Sequence, residues 1–578
     1  MQFGITNEAF KLILDDCGIE AARAELSRKA LKIAAARGDW AAFQIIFLAD
    51  ENYSVNISNM PWLSKNGPIL NARVNFVTPF KVKCNIEQNV TDDDGIEKAD
   101  ILLEHDVAEA AAGKPFALFC EIETPKDAVP GSYDIKVDIY LNRLFEDEIK
   151  LGSLDIEIKV FDIELPANKS FYLDLWQHTC NIARKHDVPL FSDAHFTVLE
   201  KYVQSLAALG QKSITVIAGE APWRGQSCYL AENNKSNLFE YSMIRTEKLS
   251  EGTFRYDYSV MERYIQLCRK HGIEDEIEVF GLLNVWKDAD NGYGSLVPDY
   301  PDYIKIRYLD KTDGCCKYMH KAEDIDNYIK ALEGFFISKG LINSVRIAAD
   351  EPADAEMYRK SLARIKRTAP SFKYKAAINH IEFIEEFSKD IYDFAPYIYF
   401  VSKEWDKWCS YLQNMKDKNF LWYVCCSPKH PNTFIGSKLL ESRFIGILTS
   451  YMNFDGFLRW NYTVWPENPR SDIRYGNFPA GDTNFVYPAF NGSVALSLRY
   501  KQLKRGIEDF ELLKLLKDKG RHDVVKDAFE LILKEKDVRR YFPTDWDSLI
   551  PLDQIMSLDY SDYARFRELI LSALSQDL

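Results

Sequence analysis

Eight apolar segments that alternate with helical segments after residue 170 constrain the fold of this chain most strongly. Several are near-continuous apolar runs, which is typical of parallel strands covered on both faces. The predicted strands are residues 171–178, 213–219, 276–284, 344–351, 374–379, 395–402, 420–426 and 456–462. Eight strand–helix units over about 350 residues favour a (β/α)8 TIM-type barrel. An open doubly wound sheet is the alternative, but no glycine-rich phosphate turn follows the first strand.

The helices predicted between these strands have recognisable ends. Ser192 is expected to cap the first long helix, and Gly210 follows its last residue. Further helices are predicted at residues 257–271, 325–338, 353–367, 380–389, 404–416, 437–449 and 491–519, with C-terminal helices up to 561–574. The loops at 220–256, 285–323 and 463–490 are long, and all follow strand C-terminal ends, where barrel sites are built.

The first 166 residues have a different pattern, with apolar and polar residues alternating in short segments. A possible helix at 20–36 precedes strands predicted at 53–57, 72–77, 116–122, 133–139 and 154–160. Several such strands without intervening helices predict an antiparallel β-sandwich. We therefore expect an α/β chain with a β-sandwich domain at residues 1–166, including its helical segment. The barrel and C-terminal helices would occupy residues 167–578.

Composition excludes several classes of partner. A net charge of −15 and a pI near 5.3 argue against binding nucleic acid or an anionic membrane surface. No apolar run reaches the ~18 residues of a membrane span, so no membrane insertion is expected. Residues 1–8 lack the features of a signal peptide, which indicates a cytoplasmic protein unless a leader has been removed.

The eleven cysteines show no disulfide or zinc spacing. Cys315-Cys316 and Cys425-Cys426 are adjacent pairs, and no CxxC pair occurs. Most cysteines are predicted to be small buried side chains in a reducing compartment. Neither a metal nor another cofactor is expected.

Two adjacent carboxylates, Asp350 and Glu351, end the fourth predicted strand and precede Pro352. Carboxylates at the mouth of a buried strand lose hydration, which costs free energy unless other interactions compensate. Pro352 favours an extended backbone at Glu351 and stops the strand there. A pair whose proton affinities are driven apart suits cleavage of a glycosidic bond, with one acid and one charged group. A solvated acidic pair, like Asp147-Glu148, is the structural alternative.

Aromatic and polar residues are predicted at other strand ends around the same mouth. The candidates for substrate binding are Trp176, His178, Asn284, Asn379, Tyr397, Tyr399, Trp422, Trp460, Asn461, Trp465 and Asp482. Indole rings pack against the C–H faces of sugars, while amides and carboxylates bind hydroxyl groups, so the set indicates a carbohydrate site. Tryptophans on strands are also common core residues, and His178 fits a buried structural role. Tyr397 and Tyr399 share a strand parity, so both are expected to point into the barrel.

The adjacency of Asp350 and Glu351 restricts their chemistry. Neighbours on a regular strand point to opposite faces, so both reach one site only if the strand turns at Glu351. Neighbours are also poorly placed to act from two sides of a sugar ring, as an ordinary acid and nucleophile do. They suit a mechanism in which one protonates the leaving oxygen and the other polarises a nucleophile of the substrate, such as a 2-acetamido group.

Four motifs in the second domain resemble glycoside hydrolase family 123, whose members are exo-acting β-N-acetylgalactosaminidases. They are residues 346–352, Trp460-Asn461-Tyr462 with Trp465, Gly481-Asp482 before Tyr487-Pro488, and residues 497–499 before 505–509. A β-sandwich ahead of a barrel is also similar to the family layout. The N-terminal domain matches the family only in type, except that the turn and strand at residues 129–133 are also similar in sequence to the family.

The resemblance implies retaining hydrolysis assisted by the substrate, which releases terminal β-linked GalNAc from a glycolipid or oligosaccharide. It implies that Glu351 is the general acid and then the base. Asp350 would orient the acetamido nitrogen and stabilise an oxazolinium-like intermediate. Tyr397 or Tyr399, together with tryptophans, would wall the acetamido pocket.

Two other functions stay open from the sequence. One is a non-catalytic carbohydrate-binding protein on a degenerate barrel. The other is an ordinary two-carboxylate glycosidase with Asp482 or Glu467 as the partner of Glu351. The natural glycan, its linkage, the choice of GalNAc over another sugar and the oligomeric state are not determined by the sequence.

Overall fold

The computed structural model describes residues 1–57, 70–143, 145–222, 239–285, 294–476 and 478–576. Its N-terminal part consists of two sheets and one helix, α1 (Asp16–Glu25). The strands of this part are β1 (Gln2–Asn7), β2 (Ala30–Arg37), β3 (Trp40–Leu48), β4 (Tyr53–Asn56), β5 (Leu70–Val77), β6 (Val82–Thr91), β7 (Glu97–Leu103), β8 (Val107–Ala110), β9 (Phe116–Glu123), β10 (Gly131–Asn142) and β11 (Ile149–Glu164).

The two sheets enclose an apolar core, as the alternating pattern predicts. One sheet has the order β1-β3-β9-β6-β7, and the other has the order β2-β11-β10-β5-β4-β8. Phe43 and Leu118 from the first sheet and Ile139 and Ile158 from the second are fully buried in this core. Most pairs are antiparallel, whereas β2 with β11 and β4 with β5 are parallel.

The prediction of a helix at residues 20–36 is wrong for the second half of this segment. α1 ends at Glu25, and Ala30–Arg37 forms β2, which pairs with β11. The alanine-rich run 34–36 has high helix propensity, but it pairs along one side with β11, and this tertiary pairing overrides propensity.

The second part is an eight-stranded parallel barrel, which confirms the predicted fold class. The strands from residue 172 onward are β12 (Tyr172–Leu175), β13 (Ser213–Ile217), β14 (Ala221–Pro222), β15 (Phe239–Glu240), β16 (Arg245–Ser250), β17 (Thr253–Asp257), β18 (Glu276–Phe280), β19 (Arg307–Asp310), β20 (Cys316–Tyr318), β21 (Val345–Asp350), β22 (Lys373–Ile378), β23 (Ile391–Pro396), β24 (Asn419–Tyr423), β25 (Gly456–Arg459), β26 (Tyr487–Pro488) and β27 (Val494–Ser497). The barrel strands β12, β13, β18, β21, β22, β23, β24 and β25 follow in chain order. β12 pairs with β25, and a bridge from Leu173 to Gln211 closes the remaining gap.

Helices cover the outside of the barrel. They are α2 (Thr179–His186), α3 (Asp193–Leu209), α4 (Ser259–Lys270), α5 (Ala322–Ser338), α6 (Ala355–Thr368), α7 (Glu382–Phe387), α8 (Ile398–Lys403), α9 (Trp405–Asn414), α10 (Leu439–Met452), α11 (Leu498–Asp518), α12 (His522–Ile532), α13 (Leu552–Ile555) and α14 (Tyr560–Ser575). The caps of α3 are as predicted: the Ser192 hydroxyl accepts the N–H of His195 at 3.2 Å, and Gly210 has a left-handed φ of 93°. Among the described residues, no helix is both long and apolar enough to cross a bilayer.

Two predicted barrel elements have different bounds in the structure. The sixth strand, predicted at 395–402, is β23 at Ile391–Pro396, and most of the predicted segment is helix α8. The run 397–401 is aromatic and β-branched, which favours a strand, but the ladder ends at Pro396. The helix predicted at 491–519 is α11, which begins at Leu498. The residues before it, Val494–Ser497, form strand β27, which pairs with β7.

Ion pairs buried between the sandwich and the barrel connect the two parts. Arg505 on α11 contacts Glu8 and Asp39 at 3.0 Å each. Arg499 on the same helix contacts Asp100 at 2.9 Å. These side chains are at most 3% exposed, and their carboxylates come from the N-terminal part. The motif at 497–509 therefore joins the sandwich to the barrel in this structure.

Candidate active site

The backbone turns sharply after the fourth barrel strand. β21 ends at Asp350, and the N–H of Glu351 donates to the carbonyl of Ala377 at 2.9 Å. Glu351 has a φ of +42°, in the left-handed region that non-glycine residues rarely adopt. The sequence-based expectation of an extended Glu351 is therefore wrong. The left-handed turn reorients the side chain, so that two consecutive carboxylates face one cavity, and backbone strain of this kind concentrates at functional sites.

That cavity lies at the C-terminal ends of the barrel strands. It is lined by Trp176, Asp350, Glu351, Ala377, Tyr423, Cys425, Cys426, Leu458, Trp460 and Phe478. A larger groove lies in the sandwich and contains neither carboxylate. Within the described ranges, no group of three or more His, Cys, Asp or Glu side chains could hold a metal ion.

Tyr423 holds the carboxylate of Glu351. It is the last residue of β24, and its hydroxyl donates a hydrogen bond to Glu351 Oε1. Burial raises the pKa of Tyr423 well above its ordinary value, and the negative charge of Glu351 raises it further. The hydroxyl therefore stays protonated and remains a donor. The Tyr397 ring lies 5.5 Å from the Tyr423 ring, and its hydroxyl donates to Ser427 Oγ at 2.8 Å.

Asn284 supports Asp350 from the neighbouring strand end. Its side-chain amide donates to the backbone carbonyl of Asp350, and its own φ is +51°. The N–H groups of Asn284 and Val285 donate to the Asp302 carboxylate at 2.6 and 2.8 Å. Burial raises the pKa of Asp302 to about 6. Asn284 thus lies behind the carboxylate pair rather than in the cavity wall, and Asp302 fixes its backbone.

Trp460 lies in the cavity wall, and Asp482 contacts its indole from behind the wall. The Trp460 side chain lines the cavity, and its Nε1 lies 3.4 Å from Asp482 Oδ1. Asp482 is fully buried and forms a 2.7 Å ion pair with Arg459. Asn461 is also fully buried, and its side chain accepts the N–H of Thr463 at 3.2 Å. Asp482 and Asn461 therefore support the wall, while Trp460 forms part of it.

Trp176 and His178 follow the first barrel strand. Trp176 lines the cavity and packs edge-on against Phe280 at 5.0 Å. His178 is fully buried, and its ring lies 6.3 Å from the Trp460 ring. Burial lowers the pKa of His178 to about 3, so its imidazole is neutral at physiological pH. Only Trp176 of this pair reaches the cavity.

Two predicted substrate-binding tryptophans lie in the core instead. Trp422 is fully buried, and its Nε1 donates to Thr449 Oγ1 on α10 at 2.8 Å, which directs the ring outward from the barrel. Trp465 is fully buried, donates to the carbonyl of Val486 at 2.7 Å and packs against Tyr202. Neither placement fits contact with a substrate.

Tyr399 and Asn379 are also outside the described cavity wall. Tyr399 lies on helix α8, where its ring packs against Phe542 at 5.3 Å. The shared parity expected for Tyr397 and Tyr399 is lost because the strand ends before them. Asn379 follows β22 and is half-buried.

Six wall residues were not among the sequence candidates: Ala377, Tyr423, Cys425, Cys426, Leu458 and Phe478. Trp422 and Tyr423 are neighbours on one strand, and parity places only one of them inside. Choosing Tyr423 over Trp422 would require knowing that Glu351, just after β21, points into the barrel and how β21 and β24 are aligned. Phe478 comes from the long loop after β25, where periodicity gives no signal.

Comparison with known proteins identifies the family. The model of the glycoside hydrolase 123 catalytic domain matches residues 176–516, more than half of the chain. This chain belongs to glycoside hydrolase family 123. Among curated protein sequences, none matches it. The family membership inferred from the motifs is therefore confirmed, the chain is a glycoside hydrolase, and its substrate is a carbohydrate.

The structure of a family 123 enzyme supports the fold of both parts. A family 123 glycoside hydrolase from Clostridium perfringens, studied for glycolipid glycan hydrolysis, has a TM-score of 0.75 at 18% identity, and the match covers 100% of this chain and 98% of that one. A β-D-glucuronidase from Dictyoglomus thermophilum has a TM-score of 0.29 at 11% identity, covering 75% and 68%. A GH10 xylanase from Thermobacillus composti has a TM-score of 0.26 at 11% identity, covering 58% and 97%. The first match extends over both the sandwich and the barrel.

Proposed function

We propose that this family 123 hydrolase is a retaining exo-β-N-acetylgalactosaminidase that uses the 2-acetamido group of its substrate as the nucleophile. The observation that carries the proposal is the left-handed turn at Glu351, which places Asp350 and Glu351 in one cavity. Two carboxylates on consecutive residues approach a bound sugar from one side. An ordinary retaining or inverting pair acts from opposite sides of the ring.

In the first step, Glu351 as a carboxylic acid donates its proton to the glycosidic oxygen, and the C1–O bond breaks. The acetamido carbonyl oxygen forms a bond to C1, which gives a cyclic oxazolinium ion. Asp350 accepts a hydrogen bond from the acetamido N–H and offsets the positive charge. Tyr423 binds Oε1 of Glu351, which leaves the other oxygen to carry the proton.

In the second step, the Glu351 carboxylate removes a proton from water, and the water oxygen attacks C1. The C1–O bond of the oxazolinium ring breaks, and the acetamido group is restored. Two displacements at C1 give overall retention. The hydrogen bond from Tyr423 stabilises the carboxylate form of Glu351, which this step requires.

A single terminal sugar is the proposed occupant of this cavity, as the exo-acting enzymes of the family imply. Trp176 and Trp460 offer apolar ring faces to the sugar. The preference for GalNAc rests on the family resemblance, and a glycolipid or oligosaccharide would carry the sugar.

The two-carboxylate alternative has little support. Asp482 is fully buried in an ion pair with Arg459 and forms no part of the described cavity wall. Glu467 lies in a separate surface groove. Neither is placed to attack a sugar held between Glu351 and Trp460.

The test uses an aryl β-GalNAc substrate with Asp350→Asn and Glu351→Gln. We expect each to lower kcat by about 10²–10⁴-fold. The loss in Glu351→Gln should shrink with a more acidic phenol, which leaves without protonation, whereas the loss in Asp350→Asn should persist. Asp147→Asn, in the surface Asp147-Glu148 pair, is the control and should be unaffected. Near-normal turnover by Asp350→Asn would refute substrate assistance.

A further inference from the structure

Two adjacent cysteines, Cys425 and Cys426, form part of the wall of the catalytic cavity. They follow Tyr423 at the end of β24, and both line the cavity together with Glu351. Their Sγ atoms are 4.0 Å apart. The N–H of Cys425 donates to the carbonyl of Ser427 at 2.9 Å, which folds the chain back around Cys426. Both thiols therefore face the same space.

The distance between the two sulfurs decides which chemistry they suit. A disulfide requires about 2.05 Å between sulfurs, and its Cα atoms normally lie more than about 4.4 Å apart. Adjacent residues have Cα atoms only about 3.8 Å apart, so a bond between these two would be strained. Two sulfurs bound to one atom by bonds of about 2.3 Å lie roughly 3.4 Å apart at the angle of about 95° of a pyramidal centre and roughly 3.8 Å apart at a tetrahedral angle. The observed 4.0 Å is closer to chelation of one atom than to a disulfide.

We propose that Cys425 and Cys426 form a chelating dithiol site for a trivalent arsenical, and that its occupation blocks the sugar cavity. With an organoarsenic(III) oxide, two As–S bonds form while the arsenic–oxygen bond and both S–H bonds break. The oxygen leaves as water with both thiol protons. Arsenic remains trivalent, so no oxidant or reductant is needed.

The surroundings of the two thiols favour reaction with an arsenic(III) oxide over binding of a metal cation. The contact with Cys426, burial and the charge of Glu351 all raise the pKa of the Cys425 thiol above its ordinary value. A metal cation needs both ligands deprotonated. An arsenic oxide takes up the two protons itself, so a protonated dithiol does not hinder it.

Occupation would compete with the sugar for space. The chelated atom would lie between the two sulfurs in the cavity whose wall also contains Asp350 and Glu351. An aryl group on that atom would fill volume that a sugar ring needs. This second part of the inference rests on the proposed function, whereas binding itself does not.

Phenylarsine oxide, with intact mass as the readout, tests the binding. The folded full chain is compared with Cys425→Ser/Cys426→Ser, and Cys315→Ser/Cys316→Ser is the matched control. Cys315 and Cys316 are also adjacent and are exposed, as Cys426 is, but they lie where β20 begins and do not line the cavity. We expect the first variant to bind one arsenical fewer than the wild type, and the control to keep that equivalent. An unchanged number of adducts in Cys425→Ser/Cys426→Ser would overturn the proposal.

Removal of the bound arsenical and the hydrolytic activity with and without it test whether it blocks the sugar cavity. A small dithiol should remove the adduct and restore hydrolysis, while a monothiol at the same thiol concentration should not. Full hydrolytic activity of the wild type with the site occupied would overturn the blocking role. If no glycoside is hydrolysed, the proposed function fails, and the mass measurement still decides whether the dithiol binds.

Discussion

At the residue scale, the central feature is a conformation that the side-chain pattern cannot encode. Asp350 and Glu351 were recognisable because two carboxylates and a proline close an apolar run. Their convergence depends on the left-handed φ of Glu351, which is stabilised by its N–H bond to Ala377 and by Tyr423. Pro352 ends the strand, but its local preference favours an extended residue before it. Tertiary contacts overrule that preference here.

Asn284 is predicted to position Asp350. Asn284→Ala and Asn284→Gly both remove the amide that donates to the Asp350 carbonyl, and each should lower kcat about 10-fold, as for a hydrogen bond of ~1.4 kcal/mol. KM should change little. Both variants lose that hydrogen bond, but glycine tolerates the left-handed φ and alanine does not, so the alanine variant should lose more stability than the glycine variant. Recovery of kcat in the glycine variant would show that backbone strain, not the amide, is responsible.

Glu87 is predicted to make stability depend on pH. Burial raises its pKa from 4.5 to about 8, and the charge of Asp100 adds to the shift. The folded state keeps this proton up to about pH 8 while the unfolded chain loses it near 4.5. Stability therefore falls as pH rises through this window, by up to ~1.4 kcal/mol per pH unit.

Glu87→Gln removes this dependence. Urea unfolding near the two ends of that window should show the variant gaining stability over the wild type at the upper end. Glu20→Gln, on the exposed side of α1, is the control and should give no such trend. A constant difference between wild type and Glu87→Gln at all pH values would contradict the assignment.

At the element scale, the sequence identified most of the barrel because parallel strands and amphipathic helices have strong periodic signals. It missed β1, β2, β3, β6, β7 and β8 of the sandwich, and it misplaced β23. β3 is buried along its whole length, so it shows no alternation. The aromatic run after Pro396 has strand propensity, yet it forms α8, since contacts distant in sequence decide between the two.

Gly446 is predicted to be essential for the crossing of α10 and α11. A Cβ at this position would lie 1.9 Å from the carbonyl oxygen of Gly506. Gly446→Ala should therefore force the helices apart and destabilise the fold by about 1–3 kcal/mol or more. Gly334→Ala in α5 is the control, because its Cβ meets no atom within 4 Å. It should stabilise by about 0.5–1 kcal/mol in thermal unfolding, and an equal effect of both variants would contradict the packing argument.

At the scale of the whole molecule, the sandwich and the barrel share a sheet and a buried ion network. β27, which follows the last barrel strand, pairs with β7. The motif that contains Arg499 and Arg505 pointed to the family from the sequence alone, but its role required the structure. Both side chains reach carboxylates more than 390 positions away in the sequence, and no local pattern reveals such partners.

Arg505 is predicted to couple the unfolding of the two parts. Arg505→Met leaves Glu8, Asp39 and Glu508 buried without this cation and should cost about 3–5 kcal/mol. Arg359→Met, which removes an exposed ion pair with Glu386, should cost less than about 1 kcal/mol. Chemical unfolding monitored by tryptophan fluorescence and circular dichroism measures both. Equal costs would contradict a connecting role for the buried network.

The proposed mechanism uses the 2-acetamido group of the substrate as the nucleophile. Its most direct test is kcat/KM for aryl β-GalNAc substrates whose acetamido group carries increasing numbers of fluorine atoms. Fluorine weakens the carbonyl oxygen as a nucleophile, so substrate assistance predicts a steep fall in kcat/KM with each fluorine. A rate that is independent of fluorination, or rapid hydrolysis of the matching β-galactoside without the acetamido group, would contradict the mechanism.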